Sequence, residues 1–489
     1  MKKDYYLRIE AINLDYFVYD THDISTIRGG SFMLLSIFDA LFDNLKEKLK
    51  EKIEDIGSAA SIGLYEIKNT TPENAKDIKS DALDFLNTNT GFHATFAAAL
   101  VEIDKKMQFK QQMQHMVTEI RIQQMQTASF SFPEMVETKH HCSFDFVRPT
   151  KEPVQIPKFE GDKPSASVEF RKKYGVGVKN HIYPKLLGLG PETKLPVTSD
   201  LETLTANKTN TLDGMMAFIY MDGNRFGKIR DEKCTSTTLY KNYQNKIQDG
   251  LRKPALAKLL EFAQNPVNKS FRTNNESGEI RLETLLWGGD ELEIIVPAWQ
   301  AFNTVQILND IFDSNEAKFE GVNLTHAGAV IFCKHNLPIL QVRKYAHELC
   351  DEVAKFGIPK EIDEITTEHN RIAFFHISEF DLIKGDVKNF IKQHQFPASA
   401  ENFCFTAADL PELFYSLSQL KIIPSSKVHA IVTALHAEKT ELYERLFERL
   451  KKLLGDTATT ELIVTLDSLN NAPEKWMVVS DLLKFYGEE

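Results

Sequence analysis

A short acidic turn set between two apolar runs constrains this chain more than any other feature. Leu285-Leu286-Trp287 leads into Gly288-Gly289-Asp290-Glu291, and Leu292 leads away through Ile294-Ile295-Val296. Two glycines between strand-like runs predict a tight hairpin, because glycine reaches positive φ without strain. The hairpin would display Asp290 and Glu291 side by side at its tip. Adjacent carboxylates held out by buried strands suit a hard divalent cation. Gly-Gly-Asp is also an ordinary surface turn, so a second signal is needed.

That signal lies upstream. Residues 215–221 read as a buried strand that runs into Asp222-Gly223-Asn224-Arg225-Phe226-Gly227. An aspartate ending a central strand beside an acidic hairpin is the arrangement a two-metal phosphoryl-transfer site needs. The cations activate a hydroxyl and neutralise a triphosphate. Asp290 follows Asp222 by 68 residues, room for a crossover helix expected over 239–264.

Together these residues resemble the palm shared by GGDEF-type nucleotide cyclases and the large polymerase-like subunit of type III CRISPR effector complexes. Asp222, Phe226 and Asp231 match the cyclase pattern Asp-x-x-x-Phe-x-x-x-x-Asp, and Gly288-Gly289-Asp290-Glu291 matches the signature turn. The resemblance implies two Mg²⁺ or Mn²⁺ ions on Asp222, the Gly223 carbonyl, Asp290 and Glu291. Asp290 and Glu291 would be the catalytic pair. Lys355, in an Ala-Lys pair on a helix expected over 340–356, matches a lysine that steadies phosphates as pyrophosphate leaves. Without the family, a C-terminal helix lysine complements the dipole equally well. Phe226, Asp231, Gly288 and Gly289 complete the implied nucleotide-binding set.

Two departures bear on the substrate. GTP-using cyclases place Asn just before the Asp found here at 231, and this chain has Arg230. The inhibitory arginine motif is also absent, since Arg281 is followed by Thr284 rather than Asp. Both favour the CRISPR-type palm, whose usual substrate is ATP.

The first 127 residues repeat the element order. A strand-like stretch over 5–20 precedes an amphipathic helix over 32–52, a hairpin over 57–67, a strand over 92–103 and a helix over 104–126. Its hairpin carries Ser58 and Ser61 where the other carries acids, so it should hold no metal. This segment resembles the non-catalytic palm of the CRISPR subunit, which helps close the nucleotide pocket. Gly29-Gly30-Ser31 at the expected helix start offers free N–H groups to a phosphate; an ordinary N-cap at Ser31 is the alternative.

The expected architecture is α+β: a degenerate ferredoxin-like palm at 1–127, an irregular proline-rich connector at 128–206, an active palm at 207–395 and a C-terminal helical bundle at 396–489. Eight of the 18 prolines mark the connector. His140-His141-Cys142 there is its only metal-type cluster, with His181 the sole further candidate, so an unliganded loop is expected. Arg171-Lys172-Lys173-Tyr174 is a small basic-aromatic patch that reads as solvated surface, with contact to RNA or a triphosphate the alternative. The lone pair His22-Asp23 lacks the partners of a metal nuclease, and the family's nuclease domain is not expected ahead of the first palm.

Composition sets outer limits. Five scattered cysteines argue against disulfides, and no Cys-x-x-Cys supports a zinc ribbon. The net charge of −11 disfavours broad nucleic-acid binding. No apolar run reaches membrane-span length and no apolar leader follows Met1, so a cytoplasmic protein with no membrane partner is expected. The implied function is an ATP-using cyclase or oligonucleotide synthetase, making a cyclic oligoadenylate or cyclic dinucleotide as an antiviral signal. A GTP-using cyclase and a non-catalytic scaffold for crRNA effector subunits are the alternatives. Expected partners are ATP, crRNA effector subunits and target RNA, with a homo-oligomer allowed.

Overall fold

The computed structural model describes residues 2–58, 61–126, 141–150, 163–190, 192–207, 211–273, 278–314, 316–358, 369–378, 387, 389, 400–421, 423, 425–436, 440–461 and 472–487. His140 and the ends of several expected helices lie outside them. The chain divides into two compact units. One comprises Met1–Leu195, Arg225–Lys253 and Thr284–Glu291; the other comprises Pro196–Asn224, Pro254–Glu283 and Leu292–Glu489.

In the first unit, β1 (Lys3–Ile12), β2 (Ile53–Asp55), β3 (Ile62–Thr70) and β4 (Thr95–Glu102) form an antiparallel sheet in the order β2-β3-β1-β4. With the helices Ile24–Leu49 and Pro72–Asn89 on its connections, this is the ferredoxin-like arrangement. β1 is central and buried from Tyr5 to Ile12, which explains its almost unbroken apolar reading. The strand ends earlier than expected. Asn13 adopts a left-handed conformation at φ 56°, and a short helix Leu14–Val18 follows. The helix Pro72–Asn89 is absent from the expected order, although Thr71-Pro72 opens it with a capping hydroxyl and a first-turn proline.

The helix expected from residue 32 begins at Ile24, where the Asp23 carboxylate accepts from the Thr26 N–H at 2.9 Å. Gly29 and Gly30 therefore lie inside it. A Cβ at Gly29 would stand 1.9 Å from the Arg171 carbonyl oxygen, and one at Gly175 would stand 2.0 Å from that of Ser25. The glycines let the helix Ala166–Val178 cross at backbone distance. By length and composition Ile24–Lys52 is apolar enough to cross a membrane, contrary to the expectation of no such run, but 67% of its most apolar window is buried inside the protein.

The region expected as an irregular connector thus supplies a core helix. Its basic patch is not solvated. Arg171 is fully buried and forks onto Asp20 with two bonds of 2.8 Å, and the Lys172 ammonium meets Asp23 at 3.0 Å. Lys173 alone of the three cations stays exposed.

In the second unit, β5 (Met215–Gly223) is central. β6 (Glu283–Gly288), which falls in the first unit from Thr284 on, precedes the acidic turn, and β7 (Glu291–Pro297), in the second unit from Leu292 on, follows it. A small hairpin of β8 (Lys318–Phe319) and β9 (Val322–Asn323) leads to β10 (His326–Lys334), so the strand expected over 322–332 is broken at Leu324-Thr325. β11 (Arg371–His376) and β12 (Cys404–Thr406) extend the sheet, whose order is β12-β11-β10-β5-β7. β7 and β10 flank β5 antiparallel, as β3 and β4 flank β1. β11 joins β10 in parallel. The C-terminal part is helical: Leu410–Lys421, Ser425–His436, Thr440–Leu454 and Ala472–Leu482.

Candidate functional site

β5 is buried from Met216 to Met221, and burial relaxes at Asp222, whose side chain is 16% exposed. A carboxylate ending a buried strand keeps its charge only with partners. Asp222 has one in Lys355. The helix Ile339–Leu349 widens into a single π-helical segment, Cys350–Ala354, and Lys355 is its cap. Such widened turns recur at functional sites because they re-aim a side chain. The Lys355 ammonium donates to Asp222 and, at 2.6 Å, to Asp351. Burial alone would lower the Lys355 pKa, but the carboxylates of Asp222 and Asp351 hold it above its ordinary value.

Beyond Gly223 the chain is pinned. The buried Asn224 amide side chain donates to the Thr325 hydroxyl at 3.1 Å, and its backbone N–H to the Thr325 carbonyl at 2.8 Å. Arg225 then takes a left-handed φ of 61° at the start of the helix Phe226–Lys233. This kink turns the chain out of the sheet directly after Asp222-Gly223.

The acidic turn is Gly289-Asp290. Gly289 has φ 57°, and a Cβ there would meet open space, so backbone conformation and not crowding demands glycine. Gly288 is a buried strand residue of β6. Within the first unit, the fully buried Arg252 donates to the Gly289 carbonyl at 3.2 Å from another π-helical segment, Gln248–Arg252. Burial raises the Tyr243 phenol, and the Asp290 carboxylate raises it further. Asp290 and Glu291 are both half-buried. In the second unit the register of β5 and β7 pairs Met221 with Leu292. These are the chain neighbours of Asp222 and Glu291.

One expectation is corrected, and two further expected site residues are placed. Ser31 is buried in the middle of the helix Ile24–Leu49 and has no free helix N-terminus to offer a phosphate. Phe226 is 3% exposed; its ring packs edge-on against Tyr243 and its carbonyl accepts the Tyr243 hydroxyl at 2.8 Å, which places it in the core of the first unit. Asp231 is exposed and paired with Arg230 at 2.9 Å, and both line a cavity of about 390 Å³ in the first unit together with Arg8, Phe109 and Tyr240. Sequence reading missed Arg252, Tyr243 and Asn224. A buried arginine in a helix-breaking Asp-Gly-Leu-Arg stretch leaves no periodic signal.

Ser58, at the first unit's hairpin, lines a separate cavity of about 310 Å³ with Asp39, Tyr174, Lys185 and Lys253. Burial raises the Asp39 carboxyl, offset in part by Lys185.

Among the described residues no three His, Cys, Asp or Glu side chains gather as a metal cage. The donors at hand are carboxylates and a backbone carbonyl, all oxygen. That set fits Mg²⁺, which is ordinarily bound by one or two carboxylates together with substrate phosphates and water. It does not fit zinc, which takes nitrogen and sulfur.

The second unit's sheet, with β7 and β10 antiparallel on either side of β5 and an aspartate near the end of that central strand, has a palm-type fold. Residues 215–362 match the sequence model of the Cas10/Cmr2 second palm domain. No curated protein matches the chain. Among solved structures, the Csm1–Csm4 cassette in complex with cA4 is similar, with a TM-score of 0.56 at 11% identity over 99% of this chain and 70% of that one. The same cassette with one ATP gives 0.55 at 12% identity over 99% and 70%. With cA3 it gives 0.55 at 11% identity over 99% and 69%. Residues 215–362 thus resemble a Cas10/Cmr2 second palm, and the fold of the chain is α+β, with palm domains and a helical C-terminal part, like that of these structures.

Proposed function

We propose that the chain joins ATP molecules through phosphodiester bonds, releases pyrophosphate and makes a cyclic oligoadenylate for CRISPR-type defence. One observation carries the reading: the strand register that ends with Met221 opposite Leu292, so that the next residues are Asp222 and Glu291, with Lys355 already on Asp222. Asp222, the Gly223 carbonyl, Asp290 and Glu291 would hold two Mg²⁺ or Mn²⁺ ions, which when bound supply charge neutralisation for the triphosphate and a more acidic attacking hydroxyl. Glu291 accepts the proton of a ribose hydroxyl. Lys355 offers positive charge to phosphate oxygens as pyrophosphate departs. To do so it must exchange Asp222 for the nucleotide, which a loaded site permits once cations occupy the carboxylates. The cavity beside Ser58, with two lysines and an aromatic wall, is the candidate pocket for a second nucleotide.

The similar cassettes are described with ATP, cA3 and cA4, and with Csm4 as partner. This supports ATP over GTP and a place in a multisubunit effector. The test is incubation of the protein, alone and with its partner subunit, with each α-labelled NTP and Mg²⁺ or Mn²⁺. ATP should yield cyclic product, and Asp290→Ala should abolish it without changing assembly. Consumption of GTP alone would establish the other cyclase. No consumption of any nucleotide under either condition would leave a scaffold.

A further inference from the structure

Behind Asp222 lies a buried polar cluster that the proposed chemistry does not use. Glu293 of β7 is fully buried. Its Oε1 accepts from Arg343 Nε at 2.7 Å and lies 2.9 Å from His347 Nε2. The His347 ring stacks on Tyr220 of β5, with centroids 3.7 Å apart and planes 20° from parallel. Arg343 and His347 are one helical turn apart, so both reach down from one face of the helix Ile339–Leu349.

Strand alternation gives the cluster its meaning. Tyr220 is two residues before Asp222 and so shares its face of β5. Glu293 is two residues after Glu291 and shares its face of β7. The helix fastened there continues through Cys350–Ala354 into Lys355. A buried carboxylate is a poor source of stability, because desolvation offsets most of its attraction. Its directional bonds do fix one position of a helix against two strands. An apolar residue at 293 would pack but would let the helix slide.

We propose that Glu293, Arg343, His347 and Tyr220 are positioning residues that set where the helix delivers Lys355, and thereby hold its ammonium on Asp222. The inference rests on the proposed role of Asp222 and Lys355, yet its first readout needs no activity. In the full-length protein, lysine acylation followed by peptide mass spectrometry reports how well Lys355 is held. His347→Ala is the primary variant, since His347 is partly exposed and its loss leaves Glu293 with Arg343. It should raise Lys355 labelling about tenfold, the fold-change that accompanies loss of one hydrogen bond to a charged group. Lys258, exposed on the helix Lys253–Gln264 and paired with Glu261, should label as before. His347→Gln, whose amide nitrogen can take the place of Nε2, should restore protection. Glu293→Gln, checked for folding by its thermal transition, should behave like His347→Ala.

A second readout applies where the protein turns over nucleotide. His347→Ala should lower kcat with little change in KM, and His347→Gln should recover it. Unchanged Lys355 labelling in a folded His347→Ala protein overturns the proposal. Equal labelling in the Ala and Gln variants overturns the hydrogen-bond role. Raised labelling with no nucleotide turnover in the unmodified protein upholds the positioning and instead rejects the proposed function.

Discussion

Asp222 carries two demands at once: it ends a buried strand and it must accept a cation. In the structure Lys355 meets the second demand. Removing the lysine should therefore lower both stability and turnover. Lys355→Met should cost about 1–2 kcal/mol by leaving a part-buried carboxylate without its main partner. It should also lower turnover by about 10²-fold, the scale of one transition-state donor. Asp222→Asn keeps shape but not charge and should lower turnover at least as far. Both are read from steady-state rates on ATP beside chemical denaturation. The lysine's contribution has a definite pH signature. Its pKa is raised on folding, so its stabilisation is complete below the ordinary lysine value of 10.5 and fades as pH rises through the higher folded value. Arg252 acts one step further back. Arg252→Met fills the same space but loses the bond to the Gly289 carbonyl. It should reduce turnover several-fold while the paired-strand core stays intact by circular dichroism.

Helices test the reading in a different way, because their contacts are long and cooperative. Gly29→Val would drive side-chain carbons into the Arg171 backbone, where even a Cβ has 1.9 Å. Overpacking of this kind costs about 1–3 kcal/mol or more, and a drop in the thermal midpoint of the first unit would register it. At the other end of the chain, His376 of β11 is half-buried, and its Nδ1 accepts from Lys484 at 2.9 Å, with Asp481 nearby. Burial first, and then the Lys484 charge, push its pKa down to about 4. The unfolded chain binds the proton more readily, so stability falls as pH drops from about 6.5 toward 4 and levels off below. The loss is up to about 3 kcal/mol for this group, and His376→Gln should remove that segment of the pH–stability curve. Most of the element order of both palms was legible because buried strands and amphipathic helices leave periodic traces, although the helix Pro72–Asn89 was missed. The helix start at Ile24 was not. Gly-Gly punctuation looked like a loop, whereas the glycines serve a crossing with a helix some 140 residues away, and no local pattern carries that information. The same distance hid the burial of Arg171 and Lys172, whose aspartates, Asp20 and Asp23, lie in another element.

At the scale of the whole chain the question is whether the carboxylates at 222, 290 and 291 do chemistry or only mark descent. The acidic turn and Asp222 could be read directly, since glycine at positive φ and a strand-ending aspartate are local requirements. Their supports could not, because Arg252, Tyr243 and the Glu293 cluster reach them across the fold. Those supports bear on the question. A subunit that only holds neighbours gains nothing from a fully buried arginine on the Gly289 carbonyl or a lysine held on Asp222, and such groups are costly to bury. A working site also makes a thermodynamic demand that precedes catalysis. Nucleotide and Mg²⁺ bound at the folded site must stabilise it by mass action, by about 2.7 kcal/mol at ligand a hundredfold above its dissociation constant. ATP with Mg²⁺ should raise the thermal midpoint of the protein by a few degrees, and ATP without the metal should do less. Asp290→Ala should lose the shift, and His376→Gln should keep it. A midpoint that stays put with every nucleotide, in a sample that is folded by circular dichroism, would mean that the carboxylates are relics and would favour a non-catalytic scaffold.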